Sequence, residues 1–132
     1  MAIASAIIRG AYSRNLGYAG ARVGLVTALQ ESGIRMYANS SLPESLNYPH
    51  DAVGSDYDSL NFFQQRVKYW GTVAQLMNAD YAINAFYSAL VRVPGWKDLK
   101  TGVAAQKVQV SAYPDAYAKW EQAADKLLIN LK

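Results

Sequence analysis

A carboxyl stands in this sequence where a helix disfavours one. Residues 21–30 read Ala-Arg-Val-Gly-Leu-Val-Thr-Ala-Leu-Gln, an almost uncharged run of helical length, and Glu31, Ser32 and Gly33 follow at once. The last turn of a helix carries partial negative charge, so Lys, Arg or His is favoured there and Glu is not. Apolar neighbours and that dipole both oppose ionisation, which predicts a raised pKa for Glu31. A carboxyl kept protonated near neutral pH is what a general acid needs. The plain alternative is a solvated Glu at a frayed helix end.

Little other chemistry is open to the chain. It has no cysteine, which excludes disulfides, thiolate metal sites and a Cys nucleophile. The single histidine, His50, excludes a multi-His metal cage and leaves a Ser-His-Asp triad without support. No metal and no cofactor are expected. The net charge of +3 is compatible with an anionic polymer, but the basic residues are scattered and no RNA-binding signature appears, so no nucleic-acid partner is expected. No apolar run approaches the ~18 residues that span a membrane. The apolar start, Met1 to Ile8, lacks a basic leader and reads as a first helix with Ile3, Ile7 and Ile8 inward, not as a signal peptide.

The elements that must position Glu31 follow from periodicity. At 132 residues the chain holds one core and one domain, 1–132. Helices are predicted over 2–14 and 18–32, the second buried because it is apolar around its circumference. Residues 36–59 carry Pro43, Pro49, Gly54 and several Ser and acidic residues, and read as a long polar loop with room for a short hairpin. Asp58 or Ser59 is expected to cap a helix holding Leu60, Phe62 and Phe63. Trp70-Gly71-Thr72 marks a turn and a new cap. Asp80 is expected to cap a helix with Ile83, Phe86, Tyr87, Leu90 and Val91 on one stripe, stopped by Pro94-Gly95. Thr101 would cap a helix through Gln109, and Pro114 suits the first turn of the last helix, whose inner face includes Tyr117 and Trp120. The fold class is mainly α, with six to seven helices around one core and the polar segment beside a cleft.

The order Glu31-Ser32, polar loop, Ser59-Leu-Asn61-Phe-Phe63-Gln64 resembles the lysozyme superfamily, in its goose-type lysozyme and lytic transglycosylase branch. Thr27 to Gly33, Asp51 to Asp56, Phe63 to Arg66, Trp70 to Thr72, Leu76-Met77, Ala105 to Ser111 and Tyr113 to Trp120 look like the lysozyme-like domain of actinobacteriophage endolysins and tail-associated peptidoglycan hydrolases. The likeness covers roughly residues 18–125. It implies an α+β lysozyme-like fold and cleavage of the β-1,4 MurNAc-GlcNAc bond of peptidoglycan by a monomeric enzyme. Such an enzyme would be made in the host cytoplasm and reach the wall through a holin lesion, or travel in a virion tail.

Glu31 would then donate the proton. Asp56 or Asp58 would support it as second carboxylate, or one Glu would suffice with the substrate's own groups assisting, so hydrolysis and anhydro-forming transglycosylation both stay open. The resemblance places Ser32, Ser59, Asn61, Phe63 and Gln64 at the glycan. Tyr57 and Tyr113, in polar segments, offer rings for sugars to stack on. The alternative for each polar residue is a structural bond or a solvated position. Two departures from the branch stand out. Asn61 replaces its usual Gly, at a position that tolerates positive φ, and the late Tyr-Asn-x-Gly motif is missing, with Ala105 to Gln109 in that region. Asn61 is the feature that favours a rival reading: a non-catalytic structural or wall-binding protein with an altered cleft.

Overall fold

The computed structural model describes residues 2–131, so Met1 and Lys132 of the expected domain lie outside it. Helix α2, Gly17–Ser32, carries Glu31 and packs against α1 (Ala2–Ser13), α5 (Ala79–Leu90), α6 (Thr101–Gln109) and α7 (Glu121–Leu131). Its composition explains that central place. All residues from Val23 to Ala28 are buried, as an apolar helix with no polar face requires. Gly24 allows the closest approach: a Cβ there would meet the Tyr87 hydroxyl at 2.5 Å and Ile7 Cγ2 at 2.7 Å. That hydroxyl donates to the Ile7 carbonyl at 3.1 Å, so α1, α2 and α5 meet at one point.

Gly33 ends α2 in the left-handed region, at φ 65. Its N–H and that of Ile34 bond to the carbonyls of Leu29 and Ala28, closing the helix one residue after Ser32. Glu31 therefore sits in the last turn, as the sequence predicted.

The polar segment after α2 contains two small sheets. Strand β1 (Tyr37–Asn39) pairs in parallel with β2 (Ala52–Gly54), with Tyr37 opposite Ala52, and a 3-10 turn over Pro43–Asn47 lies between them. The buried Asn39 side chain fastens the next loop: Nδ2 reaches the carbonyls of Tyr57 and Ser59, each at 3.1 Å. Strands β3 (Ser59–Leu60) and β4 (Gln65–Arg66) form an antiparallel hairpin, followed by the short helices α3 (Val67–Trp70) and α4 (Val73–Leu76).

The hairpin replaces the helix expected after Asp58 or Ser59. Asn61 (φ 69) and Gln64 (φ 55) both adopt the left-handed conformation, which no right-handed helix accommodates. Leu60, Phe62 and Phe63 are fully buried without helical periodicity, because the corner itself is pushed into the core.

Other boundaries moved for local reasons. Asn78, not Asp80, caps α5, its side chain accepting the Tyr81 N–H, and Val91 lies exposed just past the helix end. Thr101 opens α6 rather than capping it. The last helix starts at Glu121, after an irregular stretch through Pro114 and a 3-10 turn over Ala118–Trp120. Thr72 caps α4 as Trp70-Gly71-Thr72 suggested, and Gln75 completes a capping box with it. Seven α-helices among the described residues make the architecture mainly α, and none is long and apolar enough to cross a membrane.

The Asn61 side chain completes the corner. Oδ1 accepts the Phe63 N–H at 2.8 Å, while Nδ2 donates to Gln65 Oε1 at 2.8 Å and to the Leu76 carbonyl at 3.0 Å. Replacing Asn61 by Ala leaves those buried partners unpaired at a left-handed position. Asn61→Ala should lower the unfolding free energy by about 2–4 kcal/mol in urea titration, more than Asn61→Asp, which keeps the Oδ1 acceptor.

Candidate active site

Three segments converge on Glu31. Its Oε2 accepts the Tyr117 hydroxyl at 2.7 Å and Gln109 Nε2 at 3.1 Å. Gln109 ends α6, and its Nε2 also donates to the Phe63 carbonyl at 2.8 Å, so one amide joins the acid to the hairpin corner. Tyr117 is 1% exposed and sits just before the 3-10 turn into α7. Next to the acid, the Trp120 indole N–H donates to Gln30 Oε1 at 2.8 Å.

Burial raises the Glu31 carboxyl above the usual carboxylate range. The Tyr117 and Gln109 bonds pull it down, and the negative charge of Asp56 adds to the rise. Burial and the carboxylate beside it in turn push the Tyr117 phenol well above the ordinary range, so it stays a donor. With two donors on Oε2, the other oxygen, Oε1, is the one left to carry a proton outward.

The sequence candidates divide. Asp56 is exposed, close enough for its charge to act on Glu31. Asp58 is a structural ion: Oδ1 binds Arg66 Nε at 2.6 Å and Oδ2 accepts the Lys68 N–H at 2.9 Å. Burial alone would raise its pKa, but the guanidinium and the backbone N–H outweigh that and hold it below the usual range. A carboxylate with both oxygens engaged is a poor base, so Asp58 drops out as second carboxylate.

Four of the expected sugar contacts are corrected. Ser32, Ser59, Asn61 and Phe63 are all buried. Ser32 Oγ bonds the Phe62 carbonyl at 2.8 Å and the Ala28 carbonyl at 3.1 Å, tying the end of α2 to the hairpin. Ser59 lies within β3, and Phe63 stacks on Phe86 with ring centroids 4.3 Å apart. Gln64 is half-buried and its Nε2 donates to the Asn61 carbonyl at 3.0 Å, within its own turn. Tyr57 and Tyr113 are 74% and 75% exposed, open to a ligand. His50 bonds the neighbouring Tyr48 carbonyl in an exposed loop.

Gln109 and Tyr117 are the Glu31 partners that sequence reasoning missed. They lie 78 and 86 positions from Glu31, and although both fall in stretches of the resemblance, it gave neither a place beside the acid. The available signal was chemical: a carboxyl at an apolar helix end needs donors, and the only means of finding them was the fold. Val110 follows Gln109 with φ 49, an unfavourable conformation for a β-branched residue, and is 79% exposed. Gln106 and Gln109 each leave a buried side-chain carbonyl oxygen without a partner.

Two surface depressions, of about 280 and 510 Å³, are lined by residues of α1, α4 and α5 around Asp80, and neither includes Glu31. Chemistry points elsewhere than cavity shape does. No three His, Asp or Glu side chains converge as a metal site among the described residues. No model of a known protein family matches the sequence, and no curated protein is significantly similar to it.

The raised Glu31 pKa has a stability consequence. Because the folded-state value exceeds the unfolded one, ionisation near neutral pH costs native stability, and that cost vanishes below the unfolded-state pKa. Glu31→Gln should therefore raise Tm at pH 7, with the gain shrinking to nothing at acid pH, by calorimetry across pH. Tyr117→Phe removes a bond that lowers the Glu31 pKa, so the carboxyl carbon should titrate at higher pH by NMR.

Proposed function

We propose that the chain cleaves the β-1,4 MurNAc-GlcNAc bond of bacterial peptidoglycan, with Glu31 as general acid in a lysozyme-like domain. One observation carries the reading: a largely buried carboxyl at the end of the central helix, its Oε2 saturated by Tyr117 and Gln109 and its ionisation opposed by burial. The ordered resemblance of Glu31-Ser32 and Ser59 to Gln64 to the goose-type and transglycosylase branch supports it.

In the proposed reaction Glu31 Oε1 protonates the leaving glycosidic oxygen as an oxocarbenium-like state develops. Tyr117 and Gln109 then donate to the carboxylate that remains, which stabilises the charge as it forms. Asp56 is the candidate second carboxylate, either holding a water or stabilising the sugar cation. Tyr113 and Tyr57 supply rings near the strand. A phage lysin, released to the wall or carried in a virion tail, is the setting the resemblance implies.

The rival reading of a non-catalytic wall binder drew on Asn61. That side chain is buried and bonded to Phe63, Gln65 and the Leu76 carbonyl of α4, which weakens the argument for an altered cleft surface.

Wall-suspension clearing tests the proposal. Glu31→Gln should reduce clearing about 10²–10⁴-fold while pull-down with walls persists. Equal clearing by both proteins would remove Glu31 as the acid. Wild-type activity should fall as pH rises through the raised Glu31 pKa, and Tyr117→Phe should move that limb to higher pH. Mass spectrometry of the digested muropeptides decides the product: reducing ends mean hydrolysis, anhydro ends mean transglycosylation.

A further inference from the structure

The hairpin's open end carries a cluster that the acid site does not use. Arg66 Nε bonds Asp58 Oδ1, which fixes the plane of the guanidinium. Its central carbon lies 4.8 Å from the Tyr57 ring centroid and 5.4 Å from that of Tyr69. Lys68 Nζ lies 5.3 Å from the Tyr69 ring. Both rings nevertheless remain open to solvent, Tyr57 at 74% and Tyr69 at 67% exposed. Tyr57 also adopts φ 47, a left-handed conformation that costs an ordinary residue about 1–2 kcal/mol. Core burial does not offset that strain, because so little of the ring is covered.

Charge decides what such a surface suits. Arg66 is paired with Asp58 at 2.6 Å, so its charge is already balanced for an anion, and a cation meets a guanidinium. What remains is two exposed ring surfaces beside a planar, oriented donor. That combination fits a pyranose: its C–H face packs on an aromatic ring while its hydroxyls accept from the guanidinium. Tyr57 directly follows Asp56, whose charge acts on Glu31, so the cluster begins one residue along the chain from a group near the acid.

We infer that Tyr57, Arg66 and Tyr69 form a second sugar-binding subsite, which takes an uncharged N-acetylhexosamine unit of a glycan strand away from the bond facing Glu31. The inference rests on the glycan-cleaving reading and assigns Tyr57 to this outlying subsite. Long strands then bind better than short fragments because they reach both places.

The test uses Glu31→Gln protein titrated with two probes: peptide-stripped glycan strands and a tetrasaccharide cut from them. Adding Tyr57→Ala and Tyr69→Ala should raise the strand Kd about tenfold more than the tetrasaccharide Kd. Arg66→Lys, which keeps the charge but loses the planar donor, should weaken strand binding in the same selective way, with circular dichroism confirming the fold. The fold-loss caused by the two tyrosine substitutions should be the same at low and high salt, as an uncharged sugar at this subsite requires, whatever salt does to the MurNAc carboxylates elsewhere on the strand. Equal weakening of both probes, no weakening, or a fold-loss that shrinks steeply at high salt would overturn the subsite. Product release by the Glu31→Gln protein would instead sink the acid assignment and leave the binding comparison standing.

Discussion

The hairpin corner over Asn61 to Gln64 is the constraint on which the acid site depends. Two of its peptide carbonyls are captured by the helices: Phe62 by the Ser32 hydroxyl, Phe63 by the Gln109 amide. These bonds replace the water that a buried corner excludes, and an unpaired carbonyl there would cost about 1–3 kcal/mol. The corner thereby fixes the end of α2 and the end of α6 against each other. Glu31 lies between them, and its geometry is inherited from that junction rather than from its own rotamer.

Residues of this site serve structure and electrostatics at once. Gln109 Nε2 is shared between a backbone carbonyl and a carboxylate oxygen, so the same donor holds the hairpin and tempers the acid. The pull of Gln109 and Tyr117 opposes the rise that burial causes. Burial outweighs the two donors, so the net direction is upward, and three well-separated segments set that balance.

The sequence disclosed α2 and its misplaced carboxyl because both depend on local composition. The mainly α class and a cap at Thr72 were legible for the same reason, as was the burial of Ile83, Phe86, Tyr87 and Leu90 along α5, although one expected helix is the hairpin. The hairpin was hidden because Leu60, Phe62 and Phe63 look like the apolar positions of a helix, whereas Asn61 and Gln64 set the backbone. Asn61 had been marked as tolerant of positive φ, and it adopts φ 69, yet its side chain turns into the core rather than toward a ligand. Ser32, Ser59 and Phe63 were misread similarly: a motif gives their order along the chain, not the direction their side chains take. Tyr117 and Gln109 were beyond reach because their relation to Glu31 exists only in three dimensions.

That distance along the chain bears on how the protein acquires its chemistry during synthesis. A ribosome that has produced α2 and the hairpin has made Glu31, but neither of its donors. Until the stretch around Tyr117 emerges and docks, nothing from that end of the chain covers or bonds the carboxyl. Its surroundings are thus among the last features the nascent molecule gains, since the long loop must close before its contacts reward it. An incomplete or loosely docked C-terminal third leaves a chain with Glu31 on its helix and neither donor beside it.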